Sequence, residues 1–434
     1  MGNLINENIL IIDLSKNETS EEYLEEEFIK EHIGGAATNI ALYHQYEDDD
    51  PIIIGTGILT GTLAPGGSLA VITAKSPRTG EICHAPVNLC IGAELKYSGY
   101  DYVVIKGVAE KPVYLWIHDA IADINDAEHL WEKNAWETTD TLRNDLGEAL
   151  IQNLTIGEMG EKESDLAQVI SNYWSSGDRW GFGALFGKKK LKSIAIRGMG
   201  LFDMEDEKGF LNLCLELLNE SKNSQMAGKQ GIIDIGNELD ADLKEWLDPV
   251  LHRNSACFNM PYPGNTFLKN GEDPKILKET DVEEPGVLVT DIFEILGFKE
   301  LGLTSKDTVQ VLMECLKTGI DPVAAAQICI NKEMKSVNEI IASLGNFKGP
   351  VNTTGKTAFS PCCPEKSVFN KFDNENDTQD WWVRRQKIAY VFGIHQTYSI
   401  MSPFLSEEKL LELVNIGTGL DISQEDVETV IAKL

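Results

Sequence analysis

None of the eight cysteines stands in a C-x-x-C pair, so the usual spacing of a thiolate zinc site or a redox dithiol is missing. No stretch approaches the roughly 18 consecutive apolar residues of a membrane span, and no membrane partner is expected. Bases are scarce as well: 38 Lys and Arg face 69 Asp and Glu, a formal charge of −31. That excess repels phosphate backbones and anionic lipid, so nucleic acid is not an expected partner, and a solvated acidic surface is the plain reading of the charge. The one concentrated basic stretch, Lys188–Lys192, reads as the exposed face of a helix. HExxH, G-x-S-x-G and Walker loops are all absent, which removes the common zinc-protease, serine-hydrolase and P-loop readings. Met1–Asn8 lacks a basic flank, an apolar core and a small-residue cleavage pattern, so the expected compartment is the cytoplasm.

What is present is a globular composition, 42% hydrophobic and 25% charged over 434 residues, enough for two or more cores at about 100 to 200 residues per domain. Ile52–Ile54, Leu69–Ala74 and Tyr102–Ile105 are short apolar runs bounded by Gly, Pro or Ser-Pro, the punctuation of buried strands. Asn8–Leu14, Val113–His118 and Ile121–Ile124 add strands. Ser20–Lys30, Ala36–Tyr43, a short Ala93–Tyr97 and Thr139–Leu150 read as helices. Past Gly198–Asp206 the pattern turns helical. Phe210, Leu213, Leu217 and Leu218 repeat at helical spacing, as do Val309, Leu312, Met313 and Leu316. Asp321-Pro322, Ser406 and Ser423 with Asp426 supply helix starts. Residues 251–273 and 349–380 read as loop-rich. The spacing gives an α/β (α+β) chain with a strand-rich domain over 1–200 and a mainly helical region over 201–434.

Several segments, GTGILTGTLAP, TAKSPRTG, GAELKYSGYDYVVIKG, IGEMGE and DRWGFGALFGKKKLKSIAIRG, resemble the amino-terminal domain of the tungsten-pterin aldehyde ferredoxin oxidoreductases. The resemblance covers roughly the first two hundred residues and runs on more weakly. It implies a tungsten or molybdenum bis-pterin, a nearby [4Fe-4S] cluster, aldehyde oxidation, and pairing of two subunits through the strand-rich platform.

This chain departs from the family at the cluster. The stretch matching C-x-x-C-P-x-x-C has Cys257, then Met260 and Gly264 in place of the second and third cysteines. The fourth ligand position is His395, and the aspartate of that D-x-x-G-L-C turn is Tyr390. Four thiolates cannot be assembled, so no [4Fe-4S] cluster and no metal ligand set is expected. The other D-x-x-G-L turn resembles Glu294–Phe298, with Gly297 at its glycine and Lys299 after it. Around the phosphates the family's arginine falls on Ser68 or Leu69, and its Asn-Ser-Gly-Gly on Pro86–Leu89. The cofactor-binding positions implied are therefore Arg179, Gly181, Gly183, Asn88, Glu294 and Gly297. Arg179 with Gly181 and Gly183 suits an anion, and a glycine turn required by packing explains the same residues equally well.

Other residues carry less. His84 beside Cys83 and His252 before Cys257 are single spacings. Trp381-Trp382 with Arg384 and Arg385 reads as helix packing. Cys214, Cys315 and Cys329 read as buried fillers, and Cys83, Cys90, Cys257 and Cys362-Cys363 fall in irregular segments. Two functions stand open: a cluster-free paralogue serving as a binding or structural subunit, and a working tungsten or molybdenum pterin oxidoreductase acting on an aldehyde or related carbonyl through an altered electron route. The losses favour the first. The expected partner is a second copy of the chain or a paralogous oxidoreductase subunit, with the strands Leu69–Ala74 and Val113–Trp116 contributing to the contact.

Overall fold

The computed structural model describes residues 4–201, 203–224, 227–228, 231–237, 242–269, 286–351, 357–361 and 375–434. Its first sheet runs, in spatial order, Glu18–Tyr23, Asn8–Asp13, Tyr102–Lys106, Ile52–Thr56, Ala70–Lys75 and Ile82–Val87. Only the pair Asn8–Asp13 and Tyr102–Lys106 is parallel. The side chains of these strands divide by the two-residue period. Ile9, Ile11, Ile53 and Val104 enter one core, while Leu10, Ile12, Ile52, Ile54, Val103 and Ile105 enter another. Both faces are covered, which is why the inner strands are continuous apolar runs.

The second sheet, ordered Trp174–Ser175, Ile170–Ser171, Gln152–Thr155, Leu191–Arg197, Val113–His118 and Ile121–Asp126, shares a core with the first. On the first sheet's other face lie Gly35–Gln45 and carboxy-terminal helices that bring Leu213, Leu217, Val391, Leu413 and Val430. A third core joins Met159, Leu166 and Trp174 to the helices Phe293–Glu300, Ser305–Thr318 and Pro322–Asn331. Ser305–Thr318, Pro322–Asn331, Glu407–Thr418 and Gln424–Lys433 have side-chain caps at their starts: Thr304, Asp321, Ser406 and Ser423 each accept a first-turn backbone N–H. Among the described residues no helix is long and apolar enough to cross a membrane.

Several expectations need correction. Ser20–Lys30 is not one helix. Glu18–Tyr23 is an exposed edge strand paired with Asn8–Asp13, and the helix is Glu26–His32; five acidic or polar side chains in a row suit an edge that must not pair further. Lys188–Lys192 is no solvated helix face, because the strand Leu191–Arg197 starts there. Lys189 donates to Gly107 O at 3.2 Å, and Lys192, fully buried, meets Glu161 and donates to Lys133 O at 2.7 Å. Residues 251–269 form strands Leu251–Ser255 and Asn265–Lys269, which join Gly286–Val289 in a third, antiparallel sheet. Cys83 lies inside the strand Ile82–Val87. Ala70–Lys75 is an interior strand, and the stretch Leu69–Ala74 expected at a subunit contact has no exposed area, only Lys75 at its end being exposed. Cys362 and Cys363 lie outside the described residues.

Candidate functional site

The most concentrated chemistry sits where the second sheet's edge meets the helical region. Arg179 is buried at 4% exposure. Its Nη1 donates to Asp321 Oδ1 at 2.9 Å and its Nη2 to Asp291 Oδ2 at 2.6 Å. Arg78, from the TAKSPRTG motif, completes the array: its Nη1 donates to Asp321 Oδ2 at 2.9 Å and to Arg179 O at 2.7 Å. Asp321 meanwhile caps its own helix through Val323 N at 3.0 Å. One carboxylate thus holds two guanidiniums and a helix start.

Glu294 stands one turn from Asp291, is 3% exposed, and accepts from Thr290 Oγ1 at 3.2 Å. Burial, followed by the Asp291 charge, pushes its carboxyl up to about 8, against the pull of Arg179. Asp178, also buried, is pushed up to about 6 by the loss of water, with Arg78 opposing. Two guanidiniums therefore face four carboxyl groups, Asp178, Asp291, Glu294 and Asp321. A buried excess of that sign is relieved by keeping a proton, and Glu294 is the group that keeps it near pH 7. Burial works against the Arg179 charge, yet Asp291 and Asp321 together hold it protonated above the ordinary range.

The glycines expected to face an anion are packing positions. Gly181 has φ +81°, and a Cβ there would meet Asp165 O at 2.5 Å and Pro77 at 3.0 Å. A Cβ on Gly183 would meet Gln168 O at 2.7 Å, and one on Gly297 would meet the Cβ of Ala326 at 2.7 Å. Glu294–Phe298 is no turn; it lies inside the helix Phe293–Glu300, and Gly297 lets Pro322–Asn331 approach. Asn88 follows the strand Ile82–Val87, which runs beside the Arg179 segment: Trp180 Nε1 donates to His84 O at 2.9 Å, and Pro86 lies under Gly177. Asn88 is buried, and its Oδ1 has no hydrogen-bond partner among the described residues. The sequence reading missed Asp291 and Arg78, and took Asp321 only as a cap. The signal available for Arg78 was its motif; for Asp291 there was none.

Three of the four positions aligned with cluster ligands, Met260, Gly264 and His395, line one cavity. His395 N donates to Gly66 O at 2.7 Å and Gly66 N to Asn259 O at 2.9 Å, so one glycine at φ +79° staples the two segments. Met260, Gly264 and His395 line one cavity with Ile232, Thr290, Ile292 and Thr397, and its volume is about 10 Å³. That is room for about one water molecule. Cys257 is buried and its sulfur accepts from Asn265 Nδ2 at 3.4 Å. Burial pushes the His395 imidazole down to about 4, so it is neutral near pH 7, and its Nδ1 has no partner among the described residues. One thiol, one thioether, one imidazole and a glycine do not fit a cubane that requires four thiolate-class ligands.

The pterin gives a divided answer on this chain's residues. Asn88 leaves a buried acceptor open, whereas both ends of the Arg179 guanidinium are occupied by carboxylates.

Comparison with known proteins agrees with the motif reading. Residues 9–198 match the family model described as the aldehyde ferredoxin oxidoreductase, N-terminal domain. The chain is 35% identical over 227 residues to the tungsten-containing aldehyde ferredoxin oxidoreductase of Pyrococcus furiosus, a match covering 50% of this chain and 37% of that relative. It is 26% identical over 293 residues to the aliphatic sulfonate oxidoreductase, WOR-like subunit, of the same organism, covering 61% of this chain and 46% of the relative. These alignments span well under two thirds of the relatives' lengths. A solved chain from the active site complex BamBC of benzoyl coenzyme A reductase, in complex with 1,5-dienoyl-CoA, superposes with a TM-score of 0.80. That superposition covers 99% of this chain and 88% of the other at 16% identity, a likeness of fold. Over residues 9–198, then, this chain carries the amino-terminal domain of the aldehyde ferredoxin oxidoreductases.

Proposed function

We propose that this chain is a cluster-free member of the family that serves as a binding or structural subunit beside a competent oxidoreductase. The observation that carries the reading is the set Cys257, Met260, Gly264 and His395, three of which close around a cavity of about 10 Å³. Without the cluster, electrons have no family-type path out of the domain. The commitment of Arg179 to Asp291 and Asp321 supports the same reading, since the cation expected to hold a phosphate is spent on the fold. The WOR-like subunit and the BamBC complex are named as parts of assemblies, which supports a paralogous subunit as partner. A second copy of the chain is the other partner the family implies.

A second reading, a tungsten or molybdenum pterin oxidoreductase with another electron route, draws on one observation: the open acceptor of buried Asn88. Anaerobic purification with analysis for iron, sulfide, tungsten and molybdenum separates the two. The subunit reading expects all four to be far below one per chain. About four irons and four sulfides per chain would overturn it. Stoichiometric tungsten or molybdenum without iron would transfer the case to the second reading.

A further inference from the structure

We propose that Cys90 and Cys257 form a reversible disulfide that ties the exit of the strand Ile82–Val87 to the segment following the strand Leu251–Ser255. Cys90 is exposed, whereas Cys83, Cys214, Cys257, Cys315 and Cys329 are buried. A backbone bond joins the two segments, with Phe258 N donating to Leu89 O at 3.1 Å. The Leu89 backbone also lies close enough to the Cys257 sulfur to favour its thiolate, against the larger effect of burial. Leu89 itself takes φ +64°, a left-handed conformation that a leucine holds only when its neighbours fix it. Residues 90 and 257 are the direct neighbours of this bonded pair, and consecutive Cα atoms are about 3.8 Å apart. Leu89 O shares its peptide group with the Cα of Cys90, and Phe258 N shares its own with the Cα of Cys257, so a single hydrogen bond separates the two groups and holds the Cα atoms within about 8 Å, next to the range of about 4.4 to 6.8 Å that a disulfide spans. The charge of one thiolate registers on the other.

The chemistry needs an oxidant of the disulfide class, such as oxidised glutathione. The Cys90 thiol loses its proton and attacks the reagent; one S–S bond breaks, a mixed disulfide forms at Cys90, and one reduced glutathione leaves. The Cys257 thiol then loses its proton and attacks the Cys90 sulfur, expelling the second glutathione. Two thiols have given two electrons and two protons, and the reagent has become two thiols. Burial holds the Cys257 thiol above its ordinary range, and Asn265 Nδ2, a donor to its sulfur, offsets part of that for the thiolate this second step requires. Although the Cys90 residue is exposed, the protein atoms around its sulfur displace water and push the thiol up to about 11, so the first step is slow near pH 7 and quickens as pH rises.

The test uses the reduced full chain, oxidised glutathione, intact mass spectrometry and non-reducing peptide maps. The expected product has lost two thiols, carries no glutathione, contains a peptide linked through Cys90 and Cys257, and returns to the starting mass with dithiothreitol. Cys257→Ser should stop at one glutathione on Cys90, and Cys90→Ser should leave Cys257 unreacted. A stable glutathione adduct on Cys90 in the unaltered chain, or linkage of either residue to another cysteine, overturns the proposal. Should a variant misfold by circular dichroism, the map of the unaltered chain still decides between these outcomes.

Discussion

Replacing Glu294 by glutamine removes the one carboxyl of the Arg179 array that keeps its proton near pH 7, and its effect on stability has a definite sign. The folded-state value of about 8 lies above the ordinary 4.5. Between those values the unfolded chain has released the proton and the folded chain has not, so stability falls as pH rises through that window. Each unit of pKa difference is worth about 1.4 kcal/mol. The difference of about 3.5 units then sets a ceiling of about 5 kcal/mol, reached on going from pH 4.5 to 8. Asp291 and Glu294 share the environment of Arg179, which spreads the titration, and a realistic loss from pH 5.5 to 7.5 is about 1 to 3 kcal/mol. Glu294→Gln keeps the shape and the Thr290 contact without the titration. Urea unfolding followed by tryptophan fluorescence at pH 5.5, 6.5 and 7.5 should show the unaltered chain losing stability relative to the variant by that amount. Parallel pH profiles for the two proteins would show that Glu294 is ionised across this range, and the argument about the buried excess of carboxyl groups would fail.

Arg179→Met should cost about 3 to 5 kcal/mol, because Asp291 and Asp321 are left buried with one partner fewer; adding Asp291→Asn should recover part of the loss in the same unfolding assay. Gly183→Ala places a methyl against Gln168 O at 2.7 Å and should destabilise by about 1 to 3 kcal/mol, while Gly147→Ala, with open space at the same ideal position, should lose less than that even though its φ of +65° adds strain. If the chain pairs with itself, the −31 charge opposes contact, so light scattering across a salt series should show association strengthening with salt; association that weakens with salt would mean a contact held by ion pairs.

What the sequence determined by itself was the local and the periodic. Apolar runs between Gly and Pro marked the inner strands, and side chains such as Asp321, Ser406 and Ser423 marked helix starts, because those signals depend on residues a few positions apart. Motif spacing likewise grouped Met260, Gly264 and His395, which line one cavity. Tertiary structure decided the rest. Glu18–Tyr23 reads as part of a helix until Asn8–Asp13 offers it an edge, since pairing outweighs propensity. Strands Leu251–Ser255 and Asn265–Lys269 are polar enough to read as loop and exist because they pair with each other and with Gly286–Val289. The role of Arg179 was likewise not local. Its partners lie 112 and 142 residues away along the chain, and whether a guanidinium meets a ligand or a carboxylate depends on which distant acids the fold brings to it. Gly181, Gly183 and Gly297 carry the same lesson, for a glycine shows in sequence only that a side chain is missing, and the neighbour that needs the space is visible only once the chain has folded.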